Sequence, residues 1–176
     1  MSIEIIGFRH YSKVDVKTLC KVVEDAFSVN VIFRKGILDI GLAYDSMRGQ
    51  YSSNILLSLL KKVTGSNYTN DKFMVITDLD LFVPILTYVF GEAEFNGNFG
   101  VVSSHRLHQE YYGLRENEFL LQTRIQKETI HGLGHNFGLI HCSNSKCVMH
   151  SSTYVEDIDN KDVLFCDSCK NQYIFV

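Results

Sequence analysis

The sequence carries no basic excess, no long apolar run and no repeated, linker-like or low-complexity tract, and each absence removes a class of function. Lysine and arginine total 17 against 20 acidic residues, a formal net charge of −3 with a pI near 6.1. Neutralising a phosphate backbone takes clustered positive charge, so no nucleic-acid partner is expected. No stretch reaches the roughly 20 consecutive apolar residues that span a bilayer, and no membrane partner is expected. The opening Met1-Ser2-Ile3-Glu4-Ile5-Ile6-Gly7 is too short an apolar run for a secretory leader and lacks a basic flank. The expected location is the cytoplasm, where thiols stay reduced. With nothing to divide its 176 residues, the chain is read as one domain, 1–176, acting as a monomer.

What is present is an ordinary globular composition, 45% apolar and 21% charged, with enough chain for a core. Ile3 to Phe8 reads as a short strand and Val14 to Phe27 as an amphipathic helix, with Val16, Leu19, Cys20, Val23, Ala26 and Phe27 on one face. Val29 to Phe33 is β-branched and strand-like. Gln50 to Val63 predicts a helix burying Ile55, Leu56, Leu59, Leu60 and Val63, closed by Gly65 to Tyr68. The near-continuous apolar run Lys72 to Thr77 predicts a central strand covered by two helices. Asp78 and Asp80 read as loop residues leading to Pro84. Leu86 to Phe95 reads as a strand, Asn96-Gly97-Asn98 as a turn, and Phe99 to Ser103 as the next strand. A long helix, N-capped by Asn117 and running to about Phe137, carries an apolar stripe of Leu121, Ile125, Thr129, Leu133 and Phe137. The apolar end, Tyr173 to Val176, is expected to dock on the core.

The last turns of that helix hold the chemistry. His131 and His135 are four apart, so their imidazoles rise from one face, opposite the apolar stripe. Gly138 supplies a residue able to take positive φ and turn the chain back. That turn lets His141 approach the same point. Three neutral imidazoles with a fourth position open are the ligand set of a catalytic zinc site. Of the five cysteines, Cys20 falls in a helical apolar pattern and reads as core. Cys142, Cys147, Cys166 and Cys169 admit disulfides or a structural zinc, and a reducing compartment with Cys-x-x-Cys spacing favours zinc.

The run from His131 to His141, followed by Met149, resembles the metzincin zinc proteases, whose motif is H-E-x-x-H-x-x-G-x-x-H with a Met-turn beyond it. Cys142 directly after the third histidine, then Cys147 and Cys166-Asp167-Ser168-Cys169, narrow the resemblance to the archaemetzincins, which carry a cysteine-bound zinc beside the catalytic one. Tyr88 to Ala93 and Ser104 to Leu107 also resemble stretches of that family. The resemblance implies a zincin-like α/β fold with a twisted mixed sheet and an active-site helix within 1–137. A zinc-stapled C-terminal region would span 138–176. It implies two zinc ions, one on His131, His135 and His141 and one on Cys142, Cys147, Cys166 and Cys169, with Met149 packed beneath the histidines. Val89, Phe90, Gly91, Glu92 and Ala93 would form an edge strand on the cleft rim; an ordinary sheet edge is the other reading of those residues.

One position departs from the family. Where the motif carries its glutamate, the general base of the reaction, this chain has Gly132. Glu128, one turn earlier, is the nearest substitute, but helical side chains lean toward the N-terminus and its carboxylate is expected to point away. His150 and Tyr154 read as oxyanion stabilisers or as surface residues. His10, His105 and His108 have no partner pattern. The expected function is an archaemetzincin-like zinc metallopeptidase acting on peptide or protein substrates, strongly impaired by the missing base. The alternative is a zinc-binding, peptide-binding protein without turnover. A nucleic-acid binder built on the four cysteines is disfavoured by the acidic balance.

Overall fold

A computed structural model describes residues 1–8, 11, 13–65 and 70–173. A five-stranded sheet is built from β1 (Ile3–Gly7), β2 (Val31–Lys35), β5 (Lys72–Thr77), β7 (Gly91–Ala93) and β8 (Phe99–Ser103), in the order β2-β1-β5-β8-β7. Every pairing is parallel except β7 with β8. A smaller sheet joins β3 (Tyr44–Asp45), β4 (Gln50–Ser52) and β6 (Leu81–Phe82).

Strand alternation assigns the two faces. Ile3, Ile5, Met74, Ile76 and Val102 point toward α1 (Val16–Phe27) and α3 (Glu118–Asn136), where Leu19, Val23, Phe27, Leu121, Ile125 and Leu133 complete one core. Ile6, Phe73, Val75, Phe99 and Val101 point the other way, against Leu56, Leu57 and Leu60 of α2 (Ser53–Thr64). The run 72–77 is therefore the middle strand, with helices over both faces, as its continuous hydrophobicity predicts. Asn117 caps α3 by accepting the Leu120 N–H at 3.0 Å.

Three expectations are corrected. Gln50 to Ser52 is strand, not helix: the Gln50 amide donates to Asp80 and to the Thr87 carbonyl, both at 3.1 Å, and holds the segment in the small sheet. α2 buries Leu57 in place of Ile55 and Val63, which stay 40% and 63% exposed, so its stripe is centred on 56, 57 and 60. The strand expected over 86–95 shrinks to 91–93. Val89 pairs only with Leu81, by an isolated bridge into the small sheet, and Phe90 turns inward, 5% exposed. Val89 and Phe90 are therefore not part of the edge strand, because the chain crosses between sheets there. The polar stretch after Cys147 forms two short helices that periodicity did not announce, α4 (Val155–Asn160) and α5 (Asp167–Tyr173). His10, residues 66–69 and the terminal segment beyond 173 lie outside the described residues.

The rim strand is tied to the end of α3. Asn136 Nδ2 donates to the carbonyls of Glu94 and Phe99 at 3.0 and 2.9 Å, and the Asn96 N–H donates to the His135 carbonyl at 2.9 Å.

Candidate metal centre and cleft

α3 ends at Asn136 with Phe137 as its C-cap, and Gly138 adopts φ +85°, a left-handed value that glycine takes without strain. The Leu139 N–H donates back to the Gly134 carbonyl at 2.9 Å, which folds the chain under the helix end and brings His141 beside His131 and His135. The three ring centroids lie 4.6, 4.9 and 5.3 Å apart, and one nitrogen from each ring falls within 4.8 Å of the others.

Hydrogen bonding fixes which nitrogens face inward. His131 Nδ1 lies 2.9 Å from the Val148 carbonyl and His135 Nδ1 lies 2.8 Å from the Leu139 carbonyl. A carbonyl only accepts, so each Nδ1 bears the proton and each Nε2 presents a lone pair. Those two Nε2 atoms are 3.1 Å apart. Two lone pairs at that distance repel unless a cation sits against both. A tetrahedral zinc with bonds near 2.0 Å holds its nitrogen ligands about 3.3 Å apart, close to this spacing. Burial, together with the charge of Lys161, holds the His131 imidazole well below the usual range, and burial also lowers His135 and His141. All three are then neutral near pH 7, the form that binds metal.

Met149 is fully buried, and a Cβ added at Gly134 would overlap its sulfur. Met149 thus packs against bare helix backbone at Gly134, the residue before His135. Gly134 is small to admit it. Gly134→Ala is expected to destabilise the fold by about 1–2 kcal/mol, since overpacking costs roughly 1–3 kcal/mol and the alanine returns up to about 1 in helix propensity. Urea unfolding of both proteins measures this.

The four cysteines after His141 also converge. Cys142, Cys147, Cys166 and Cys169 place their sulfurs within 4.8 Å of one another, and all five cysteines of the chain are free. The Cys142 and Cys166 sulfurs are 3.7 Å apart, against about 3.8 Å for an edge of a tetrahedral thiolate site with zinc–sulfur bonds near 2.3 Å. The Cys169 N–H draws the Cys166 thiol down to about 7, whereas burial pushes Cys147 and Cys169 up. Cys142 links the two clusters: it follows His141, its N–H donates to the Met149 carbonyl at 3.0 Å, and its carbonyl accepts from His150 Nδ1 at 2.9 Å.

A cleft of about 510 Å³ opens over the imidazoles. Residues 86–93 form one wall and 151–154 the other; Glu128, Gly132 and the histidines line the floor. A Cβ on Gly132 would sit 3.0 Å from Met74 Cε and 3.8 Å from Ala93 Cβ. Glu128 is placed otherwise than expected: it lines the cleft, because Lys161 Nζ donates to its Oε1 at 3.1 Å and holds it there. Tyr154 lies on the cleft wall, 65% exposed, whereas His150, His105 and His108 are not among the lining residues.

Sequence reasoning misses a set of buried charges on α3 that anchors α4, the helix that follows the 151–154 wall. Arg124 donates to both carboxylate oxygens of Asp159 at 2.7 and 2.6 Å and to the Leu107 carbonyl at 2.7 Å. Lys127 donates to the Ile158 and Asp159 carbonyls, at the last turn of α4. Their one sequence signal is charge at 124, 127 and 128, spaced to share a helix face. Arg124→Met is expected to cost about 1–3 kcal/mol, the scale for losing charge-assisted hydrogen bonds when the carboxylate left behind is one-third exposed, and thermal melting measures the loss.

Comparisons with known proteins agree with this geometry. The description Peptidase family M54 fits residues 28–173. The archaemetzincin of Methanocaldococcus jannaschii is 39% identical over 155 residues, 88% of this chain and 82% of that protein. Among solved structures, the archaemetzincin of Methanopyrus kandleri superposes with a TM-score of 0.84 at 31% identity, covering 99% of this chain and 94% of that one. A zinc-dependent peptidase from Methanocorpusculum labreanum superposes at 0.86 with 26% identity, covering 97% and 99%.

Proposed function

The chain belongs to Peptidase family M54, and from that premise we propose that it is a zinc metallopeptidase whose turnover is strongly impaired by glycine at position 132. His131, His135 and His141 would hold the reactive zinc, and Cys142, Cys147, Cys166 and Cys169 a structural one. Bound there, zinc supplies Lewis acidity to the scissile carbonyl and to the attacking water. The remaining work falls to the protein. The carbonyls of Val148 and Leu139 hold the Nδ1 protons of His131 and His135, which keeps both Nε2 atoms free to ligate. β7 offers backbone groups along the rim, where an extended peptide can pair. At Gly132 no side chain takes the water's proton or passes it to the leaving amine.

The observation that carries the reading is the pair of imidazole lone pairs facing each other at 3.1 Å beside a residue that has no side chain. The same pairing favours a second reading, a peptide-binding protein that has kept its metal and cleft and lost turnover altogether. Either would work on peptide or protein ligands as a cytoplasmic monomer. The four converged cysteines suit that location, where thiols stay reduced and available to metal.

Metal analysis tests the shared part. The purified protein is expected to hold two zinc ions per chain. Brief treatment with 1,10-phenanthroline should strip the ion at the open histidine site first and abolish peptide binding. The four-thiolate ion should persist until the fold is lost. A chain that binds no zinc, or that binds peptide equally well after stripping, would overturn the proposal. Slow cleavage that needs the histidine-bound zinc favours the impaired enzyme; tight binding with no cleavage favours the second reading.

A further inference from the structure

We propose that Glu128 sets the side-chain preference of the cleft, favouring a peptide that carries arginine or lysine beside the residue held over the histidines. The inference rests on reading the cleft as a peptide site. Among the described residues lining it, the only carboxylates are Glu92 and Glu128, and there is no lysine or arginine. Glu128 is 7% exposed. Its Oε1 accepts from Lys161, and among the described residues no donor reaches Oε2. Lys161 itself has no exposed side-chain surface and spends its other hydrogen bond on the His150 carbonyl at 3.1 Å. The ammonium therefore stands behind the carboxylate, and what the cleft presents is an anionic oxygen already held in place.

That arrangement discriminates among incoming side chains. A carboxylate has about four lone-pair sites, so a second cation can bond to Oε2 while Lys161 keeps Oε1. A guanidinium or ammonium there makes a charge-assisted hydrogen bond, and no entropy is lost in ordering its acceptor. An apolar side chain strips water from Oε2 and leaves it unpaired, and an acidic one meets like charge. Glu128 lies on the histidine-bearing face, one turn before Gly132, which places the recognised side chain next to the metal centre.

The test uses the zinc-loaded full chain and fluorescein-labelled heptapeptides that differ at one scanned position, filled by arginine, lysine, norleucine or glutamate. Anisotropy titrations are expected to show one position where arginine or lysine binds about tenfold or more tighter than norleucine, with glutamate weakest. Glu128→Gln, which keeps an acceptor for Lys161, should erase that preference, bringing arginine, lysine and norleucine peptides to within about twofold of one another. Glu128→Asp keeps the charge but withdraws it, and should weaken arginine binding more than norleucine binding. It keeps the inference testable if the glutamine variant melts early. A preference that survives Glu128→Gln, that disappears only in Glu92→Gln, or that is absent among peptides that do bind would overturn the assignment. Failure of every peptide to bind would overturn the peptide-cleft reading itself, and this preference with it.

Discussion

Gly132→Glu is expected to raise peptidase kcat/KM by about 10²–10⁴-fold with zinc content unchanged, the range a positioned general acid–base group contributes. The site is ready to receive the side chain. Gly132 lies on the cleft floor between the two helical histidines, and only Met74 Cε, at 3.0 Å, crowds a new Cβ. A methionine methyl is the far end of a flexible chain and can shift by the few tenths of an ångström required. The helix should also gain about 0.5–1 kcal/mol, since glycine in a helix interior is poorer than other residues by that amount. Turnover of a quenched peptide by both proteins, with zinc measured on each sample, decides the matter. Equal cleavage by the two would mean that another group already moves the proton, and would remove the basis for calling the unaltered protein impaired.

The second large effect is expected from Cys147→Ala. Cys147 is 1% exposed and its sulfur accepts the Cys166 N–H at 3.4 Å, so its thiolate belongs to the centre of the proposed four-sulfur site. Structural zinc contributes on the order of 10–16 kcal/mol to the folding of small zinc peptides. Losing even a fraction of that should free the segment from Cys142 onward. The damage should then reach the histidines through the Cys142 amide and carbonyl, both of which bond to the turn around Met149. Zinc is expected to fall from two ions per chain to one or fewer, with new protease cuts between residues 142 and 170. Cys20→Ala, a half-buried core position packed against α1's neighbours, serves as the control and should leave both properties intact. A Cys147→Ala protein that keeps two zinc ions and resists proteolysis would overturn the four-cysteine assignment.

What the sequence disclosed was set by how local each determinant is. α3 was legible because a four-residue apolar period, an Asn117 cap and a terminating Gly138 all lie within one stretch, and together they fix which way His131 and His135 face. The middle strand was legible because burial on both faces forces continuous hydrophobicity. The rim strand was overextended because Val89 takes its partner from a two-residue strand in another sheet, a choice made by tertiary contact. α4 escaped because its anchors, Arg124 and Lys127, lie about 30 residues upstream and bond to it through charges that look like surface charges in the sequence. Glu128 was misjudged for the same reason. Its direction is set by Lys161, 33 residues away, against the lean that the helix alone would impose.

The parallel order β2-β1-β5-β8 carries a kinetic consequence. β1 precedes the other strands of this sheet in the chain, yet it sits inside the sheet, and its partner β5 is paired to it in the register Ile3 to Lys72. Closing so long a loop must precede any reward from that contact, so assembly of the sheet should be slow on the scale of helical proteins of this size. Until Thr77 has left the ribosome, one edge of β1 is an open template for a stray strand. Refolding yield should therefore fall with protein concentration, whatever the zinc supply.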